Sequence, residues 1–446
     1  MYLSTIGRPK TADGPPTAEG GRSDRQRRRR LALVSGNVVA LGTVSLITDV
    51  SAEMVSAVLP LYLVLGLQLS PLAYGMIDGI YTGATAVLRI VGGYLADRVR
   101  ARKLMAGIGY ALSAVAKLGL LVAGRSMGAI GFVIAVDRMG KGIRTAPRDA
   151  LITASSPPEA LGRAFGVHRT MDAIGAFLGP LVALAVLAAA GQSYDAVFVA
   201  SFCLATLAVV VLVLFVRDHP GSAPERALPV PVPDRALPVP RREPVSVREA
   251  LTLLRARPVR RLTAAAGLLG LATIGDGFVY LLLQRREELS VVWFPLLAVG
   301  TSLGYLLLAA PLGMLADRFG RLPVMVGGYV ALTVTYLLLF GPIGGWPLLG
   351  LALALYGLFY AATDGILMAL AGPVLPERLR ATGIALIQTG QALAYLVSSV
   401  LFGLAWQQWG PAVASRLAAA CVAVAVVATG CLLATEPALS RRRVTS

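Results

Sequence analysis

Two carboxylates lie four residues apart in a long apolar stretch near the start of the chain. They are Asp49 and Glu53, and at this spacing one helix presents both on the same face. Because like charges one turn apart repel, one of the two should hold a proton more readily than an isolated acid does. A carboxyl group that gains and loses a proton near neutral pH can carry protons across a membrane. The alternative is a structural pair, neutralised by basic residues of neighbouring helices.

A second group of charges lies within another apolar stretch. Asp137, Arg138, Lys141 and Arg144 fall on one broad stripe of a helix. Asp137 can pair with Lys141 one turn away. Arg138 and Arg144 then remain for the first pair of acids, for Asp172 on the following span, or for an anionic solute. The same residues are equally suited to an internal salt-bridge lattice that holds this part of the chain rigid, so the sequence leaves both interpretations open.

The second half of the chain has fewer charges in its apolar stretches. Its acids there are Asp276, with Tyr280 one turn further on, and Asp364, with Tyr360 one turn before it. Charged side chains inside a membrane are costly and mark candidate solute or proton sites. Acids without nearby basic partners either hold a proton or bind a cationic solute. Asp78, in the first half, is ambiguous between a packing and a functional role.

These residues belong to a chain whose composition is that of a membrane protein. Of its 446 residues, 56% are apolar and only 15% are charged, and the mean hydropathy is +0.71. An ordinary soluble domain is about 25% charged. The composition excludes a soluble multidomain enzyme, a disulfide-stapled secreted domain and a disordered scaffold. The apolar stretches approach the roughly 20 residues that a bilayer-spanning helix requires.

Twelve helical spans fit between the loop signals, which predicts an all-α membrane protein. A Pro- and Arg-rich segment separates six spans from six. We predict a disordered basic tail over 1–33, a six-helix bundle over 34–216, a cytoplasmic linker over 217–259, a second six-helix bundle over 260–434 and a tail over 435–446. The predicted spans are 34–65, 71–96, 102–124, 128–147, 163–190, 194–216, 260–284, 291–316, 322–342, 346–371, 381–406 and 411–434.

The basic residues predict the orientation. Most of the 41 Lys and Arg residues fall in the tails, in the linker and in the loops on the same side of the membrane. Positively charged loops stay in the cytoplasm, which places both termini there. The tryptophans then lie at outer helix ends, as an interfacial aromatic belt requires. The net charge of +17 is thus explained by orientation, and no nucleic-acid partner is expected.

The two halves resemble each other. The word LADR begins at Leu95 after span 2 and again at Leu315 after span 8. Asp49 and Asp276 occupy corresponding spans, as do Asp137 and Asp364. Parallel six-helix repeats related by an axis along the membrane normal are a transporter architecture.

The chain resembles the major facilitator superfamily in these repeated motifs. The family's loop signature, G-x-x-x-D-R-x-x-R-[RK], appears after span 2, and a weaker copy follows span 8. Span 4 holds the segment GKGIRTAPRD (140–149), similar to a bacterial branch of the superfamily, and span 5 holds a G-x-x-x-G-P motif similar to that of its proton antiporters. The loop signatures place Gly93, Asp97, Arg98, Arg102, Gly313, Asp317, Arg318 and Arg321 at a predicted cytoplasmic gate, and the span 5 motif places Gly175, Gly179 and Pro180 at a helix-packing surface.

The resemblance implies two bundles that rock around a central site lined by spans 1, 4, 7 and 10. The expected function is a proton-coupled secondary transporter of the bacterial inner membrane, moving a small solute, with export favoured over uptake and a monomer as the working unit. A symporter for uptake is the alternative within the same fold, and a non-transporting receptor or scaffold is the alternative of a different class. No enzyme, cofactor or metal site is expected, because the sequence carries no P-loop, no metal-ligand spacing and no nucleophile motif. The candidate substrate or proton-coupling residues are Asp49, Glu53, Asp137, Arg138, Lys141, Arg144, Asp172, Asp276 and Asp364.

Overall fold

Helices account for nearly all of the regular structure, since a chain in a bilayer must satisfy its backbone hydrogen bonds internally. The computed structural model describes residues 35–98, 101–157, 160–218, 252–364, 366–371, 374–376 and 379–434. The predicted tails, and the predicted linker apart from its two ends, lie outside these residues.

Six helices form the first half. Serine side chains cap the starts of four of them, at Ser35, Ser70, Ser126 and Ser193, where each hydroxyl accepts a backbone N–H three residues on. The helices are α1 Gly36–Leu61, extended by a π-helical turn Tyr62–Gly66, α2 Pro71–Arg98, α3 Arg102–Val122, α4 Met127–Ala154, α5 Leu161–Ala189 and α6 Tyr194–Phe215.

The second half contains interrupted helices. The segment Arg380–Ala434 turns at Gly410, whose φ of 81° and ψ of 165° are not helical, so we treat it as α11 (380–409) and α12 (411–434). The remaining helices are α7a Arg257–Ala272, α7b Asp276–Arg286, α8 Pro295–Phe319, α9 Arg321–Leu338, α10a Gly345–Thr363 and α10b Ile366–Ala371.

The helices differ from the predicted spans in several places. Span 10 was predicted as one helix over 346–371, but its first part ends at Thr363 and its second begins at Ile366. Span 4 was predicted to end at 147, but α4 continues to Ala154. Span 7 was predicted as one helix, but residues 273–275 are extended and divide α7a from α7b. Helix α7a also begins at Arg257, inside the predicted linker. Within the described residues, 9 segments are long and apolar enough to cross a membrane, and one of these runs through the turn at Gly410. The total of twelve spans therefore stays a prediction, while the all-helical membrane fold is confirmed.

Close helix packing fixes the first half. Helix α5 crosses α1 with Gly175 and Gly179 at the contact, where an added Cβ would lie 2.5 Å from the Leu46 carbonyl oxygen and 2.5 Å from Glu53 Cβ, respectively. Only a residue without a side chain allows two helices to approach so closely. The glycine motif thus positions Glu53 on α1 relative to α5.

The two halves meet at the end of the molecule opposite Ser35. There α2 packs against α11, with Gly75 touching the Ser399 backbone. An edge-to-face aromatic chain reinforces the contact: the ring centroids of Tyr74 and Phe278 lie 4.7 Å apart, and those of Phe278 and Phe402 lie 4.8 Å apart. This end of the molecule, where α2, α7b and α11 meet, is called the closed end below.

Candidate functional site

A cavity of about 690 Å³ lies between the two halves. Its walls come from α1, α2 and α5 on one side and from α7b, α8, α10a and α11 on the other. Of the predicted site residues, Glu53, Asp276 and Asp364 line it, and so does Pro180 of the predicted packing motif. A cavity between two halves of a transporter-like bundle is where a solute site is expected.

Asp276 lies where α7 is interrupted. The Ile274 backbone N–H in the extended segment donates to the Tyr336 hydroxyl at 3.0 Å, which holds the break in place. Asp276 is then the first residue of α7b, where the helix dipole stabilises a negative charge. Its Oδ1 accepts hydrogen bonds from Tyr356, at 2.7 Å, and from Tyr360. The break therefore presents a carboxylate held by two tyrosine hydroxyls.

Asp364 occupies a similar position at the end of α10a. Its φ of −61° and ψ of 124° end the helix, and its backbone N–H still donates to the Tyr360 carbonyl. The carboxylate is exposed and its Oδ2 accepts from the Tyr305 hydroxyl of α8 at 2.9 Å. Two interrupted helices thus each place an acid at the cavity, with tyrosines as partners.

Asp78 on α2 is a further acid of the cavity wall, and it bridges the two halves. Its Oδ2 accepts a hydrogen bond from Ser399 Oγ of α11 at 2.6 Å. A Cβ added at Gly275 would collide with the same carboxylate and with the Tyr395 hydroxyl. The sequence offered one signal for this residue, an acid in the middle of a span, and gave no means of choosing its partners.

Asp137 forms a buried cluster away from the cavity wall. Its carboxylate accepts from Ser113, from Lys117 Nζ at 3.5 Å, and from Arg138, whose Nε lies 3.0 Å away. The predicted pairing with Lys141 is therefore wrong. The reason is that Asp137 faces α3, which supplies both Ser113 and Lys117, and both Lys117 and Arg138 are buried.

Arg138 connects this cluster to the cavity. Its guanidinium carbon lies 4.0 Å from the ring centroid of Tyr81, and Tyr81 lines the cavity. A guanidinium over an aromatic face is held by a cation–π interaction. Arg138 therefore lies behind the tyrosine ring and is itself no part of the wall.

The remaining predicted charges gather on the Ser35 side of this cluster. Asp49 is near enough to Asp172, Lys141 and Arg144 for their charges to act on it. Arg144 is buried, with its guanidinium carbon 4.7 Å from the Tyr110 ring centroid. The structure thus brings Asp49, Lys141, Arg144 and Asp172 together, but it does not place them in the wall of the cavity.

The predicted gate lies only partly within the described residues. The side chains of Gly93, Asp97 and Arg98 lie outside them, and Arg102 begins α3. In the second copy, Gly313, Asp317 and Arg318 lie on α8, and Arg321 begins α9. The guanidinium carbon of Arg318 is 5.4 Å from the ring centroid of its neighbour Phe319.

Comparison with known proteins identifies relatives over most of the chain. The family model described as Major Facilitator Superfamily matches residues 39–301 and 290–445. An uncharacterized MFS-type transporter of Methanocaldococcus jannaschii is 28% identical over 379 residues, covering 84% of this chain and 89% of that protein. An uncharacterized protein of Mycobacterium tuberculosis is 35% identical over 158 residues, covering 35% of this chain and 38% of that protein.

Solved transporter structures have the same fold. The crystal structure of the nucleoside transporter NupG superposes with a TM-score of 0.73 at 15% identity, covering 90% of this chain and 99% of that one. A POT family transporter in complex with 5-aminolevulinic acid gives a TM-score of 0.71 at 14% identity, covering 91% and 97%. At these identities the likeness concerns the fold alone.

Proposed function

The chain belongs to the major facilitator superfamily, and we propose that it exchanges a small solute for protons by alternating access at the cavity between its halves. The observation that carries this proposal is the pair of interrupted helices, α7 and α10, whose breaks present Asp276 and Asp364 to the cavity. Discontinuous helices near the middle of a bundle are where transporters bind solutes and coupling ions.

Protons are the proposed coupling ion. Asp276 and Asp364 have hydroxyl partners, which can donate to a carboxylate but cannot neutralise it. A carboxylate that is withdrawn from water without a cation is costly, so Asp276 has a reason to take up a proton when the solute leaves. Asp364 lies exposed at the cavity, where it can exchange a proton with water. Asp49, Glu53 and Asp172, together with the nearby cations Arg138, Lys141 and Arg144, form the proposed proton path in the first half.

Export is the proposed direction. The Gly175-x-x-x-Gly179-Pro180 motif resembles that of proton antiporters, and the structure supports a packing role by placing both glycines against α1. With both termini in the cytoplasm of a bacterium, the closed end faces outward and solute enters from inside. A symporter for uptake uses the same parts, and a non-transporting receptor would not need an acid at each break.

Vesicle measurements test the coupling. Everted membrane vesicles that contain the protein are energised to form an interior-acid pH gradient, and solutes are added while a pH-sensitive dye reports the gradient. We expect at least one solute to release protons from vesicles with the wild-type protein and not from those with Asp276→Asn. The control is Asp195→Asn, because Asp195 is an exposed acid at the start of α6, outside the cavity wall.

Two results would contradict the proposal in different ways. If a labelled solute accumulates without proton movement, the proposal of proton coupling is rejected, while the proposal of transport stands. A cysteine introduced into the cavity wall can be probed with a membrane-impermeant thiol reagent. If it reacts from one side of the membrane only, under every condition, alternating access is contradicted.

A further inference from the structure

We infer that the solute of this cavity is an organic ammonium cation, an inference that rests on the proposed function and specifies its substrate class. The chemistry of the wall carries it. Carboxylates and tyrosines dominate the polar groups of the wall, and none of the described residues that line it is Lys, Arg or His.

The acids come from four helices and therefore face the cavity from different sides. Glu53 has compensation nearby, since the charges of Arg138 and Lys141 act in its neighbourhood. The other acids have hydroxyl partners among their described contacts: Ser399 for Asp78, the tyrosines of α10a for Asp276, and Tyr305 for Asp364. Carboxylates whose described partners are hydroxyl groups favour a cation that brings its own N–H donors or positive charge.

A basic residue directly behind this wall, Arg138, is already engaged. Arg138 is bound to Asp137 and lies over Tyr81, so the ring separates it from the cavity. An anionic solute in contact with the wall would face carboxylates, since none of the described lining residues is basic. The charge of the cavity therefore discriminates against organic acids and phosphates.

The tyrosines supply the second part of the recognition. Six of the 14 tyrosines of the chain line the cavity. A cation within about 6 Å of an aromatic ring centroid is attracted to the ring face, and cages of such rings recognise ammonium groups. Because Tyr305 and Tyr360 already donate their hydroxyls to carboxylates, their rings are what remains for a ligand. The lining tyrosines are Tyr74, Tyr81, Tyr280, Tyr305, Tyr360 and Tyr395.

Size and geometry favour an organic cation over a metal ion. A cavity of about 690 Å³ suits a drug-sized molecule. Across the part of the chain that the structure describes, no three His, Cys, Asp or Glu residues are close enough together to hold a metal ion. The acids are therefore spread to meet separate parts of a larger cation.

Binding to matched ligands of different charge tests the inference. Purified full-length protein in detergent is titrated with tryptamine, tryptophol and indole-3-propionate, which share one ring system and differ in charge. Tetraphenylphosphonium and tetraphenylborate form a second pair, of one shape and opposite charge. We expect the cations to bind more tightly than their neutral and anionic counterparts, and added cation to raise the unfolding temperature.

Variants locate the binding site. Asp276→Asn and Asp364→Asn should each weaken cation binding about 10- to 100-fold, because each removes a carboxylate that would pair with the cation at the cavity wall. Asp195→Asn, outside the wall, should leave it unchanged. Asp364 is exposed, so its variant keeps the test valid if Asp276→Asn fails to fold.

The inference is overturned if the neutral or anionic ligand of a set binds as tightly as the cation, if no cation of either set binds, or if both site variants bind as the wild type does. Failure of the proposed function has another signature. If a cation binds but never crosses the membrane, the proposed binding site stands and the proposed transport function is rejected. If an anion is transported, the transport function stands and the cation assignment is rejected.

Discussion

Replacing Ser399 with alanine removes the hydroxyl that joins α11 to Asp78 of α2. This contact links the two halves at the closed end, with Ser399 Oγ 2.6 Å from Asp78 Oδ2. In an alternating-access cycle, the contact can exist only while that end is shut. The substitution should therefore shift the equilibrium towards opening of the closed end.

The size of the shift follows from the kind of bond. A hydrogen bond to a charged group contributes about 1.5–3 kcal/mol, because an acceptor that is already withdrawn from water is left without a partner when its donor is removed. Since 1.4 kcal/mol is tenfold in an equilibrium constant, the ratio of open to shut molecules should rise roughly 10- to 150-fold. Asp78→Ala should shift it in the same direction, and Ser399→Thr, which keeps a hydroxyl, should restore most of the wild-type balance.

A cysteine in the cavity wall reports which end is open. The natural cysteines Cys203, Cys421 and Cys431 are exposed, so they are first replaced by alanine. Ser302→Cys then places one thiol in the cavity wall. A membrane-impermeant maleimide is applied to spheroplasts and, separately, to everted vesicles. In Ser399→Ala the labelling rate should rise from the side of the closed end and fall from the other side.

The matched control is Ser398→Ala. Ser398 precedes Ser399 on the same helix and is also buried, so the same atoms are removed on a different face. Equal labelling of the two variants from both sides would refute the idea that the contact between Ser399 and Asp78 holds the closed end shut. A rise from both sides at once would point to a loosened fold in place of a shifted equilibrium.

Three further predictions concern stability, each measured by thermal unfolding in detergent. Gly175→Ala should destabilise the protein by about 1–3 kcal/mol through overpacking against α1. Gly166→Ala on the same helix should not, because Gly166 has open space around it. Equal effects of the two substitutions would contradict the close approach of α5 to α1. Asp137→Asn should lower the free energy of unfolding by about 3–5 kcal/mol, because it leaves buried cations uncompensated. Lys117→Met should lower it by less, because Arg138 still reaches the carboxylate. The reverse order would be inconsistent with this cluster. Arg286→Lys should lower the unfolding temperature, since the guanidinium donates to three carbonyls at and beyond the end of α9, those of Leu338, Gly341 and Ile343. Lysine cannot reproduce the planar fork of arginine, and an unchanged temperature would show that these bonds add nothing to stability.

The fold was predictable because its signals are local. The apolar stretches and Gly/Pro loops place most helix ends within a few residues of those observed, with the end of α4 at Ala154 as the main exception. The repeated LADR words identify the two halves. Each of these signals lies within one stretch of sequence and depends little on which helix packs beside which.

The candidate site was predictable only in part, because it depends on contacts between distant residues. Asp276 and Asp364 were identified as acids without basic partners, and both line the cavity. Spacing along α4 favoured a pair between Asp137 and Lys141, yet α3 supplies the partner Lys117. A low overall aromatic content of 7% also concealed that tyrosines from five helices converge on one cavity.

The break in α7 connects the Asp78–Ser399 contact at the closed end to the proposed cation site. Asp78 packs against Gly275 at the break, and Asp276 begins α7b one residue later. A cation that draws Asp276 towards the cavity therefore pulls on the extended segment against which the Asp78 carboxylate packs. Coupling between two sites is reciprocal in free energy, so whatever cation binding does to closure at Asp78, closure does to cation affinity. An extended segment of three residues is sufficient for this coupling because both carboxylates lie against it, whereas an uninterrupted helix would hold them at a fixed separation.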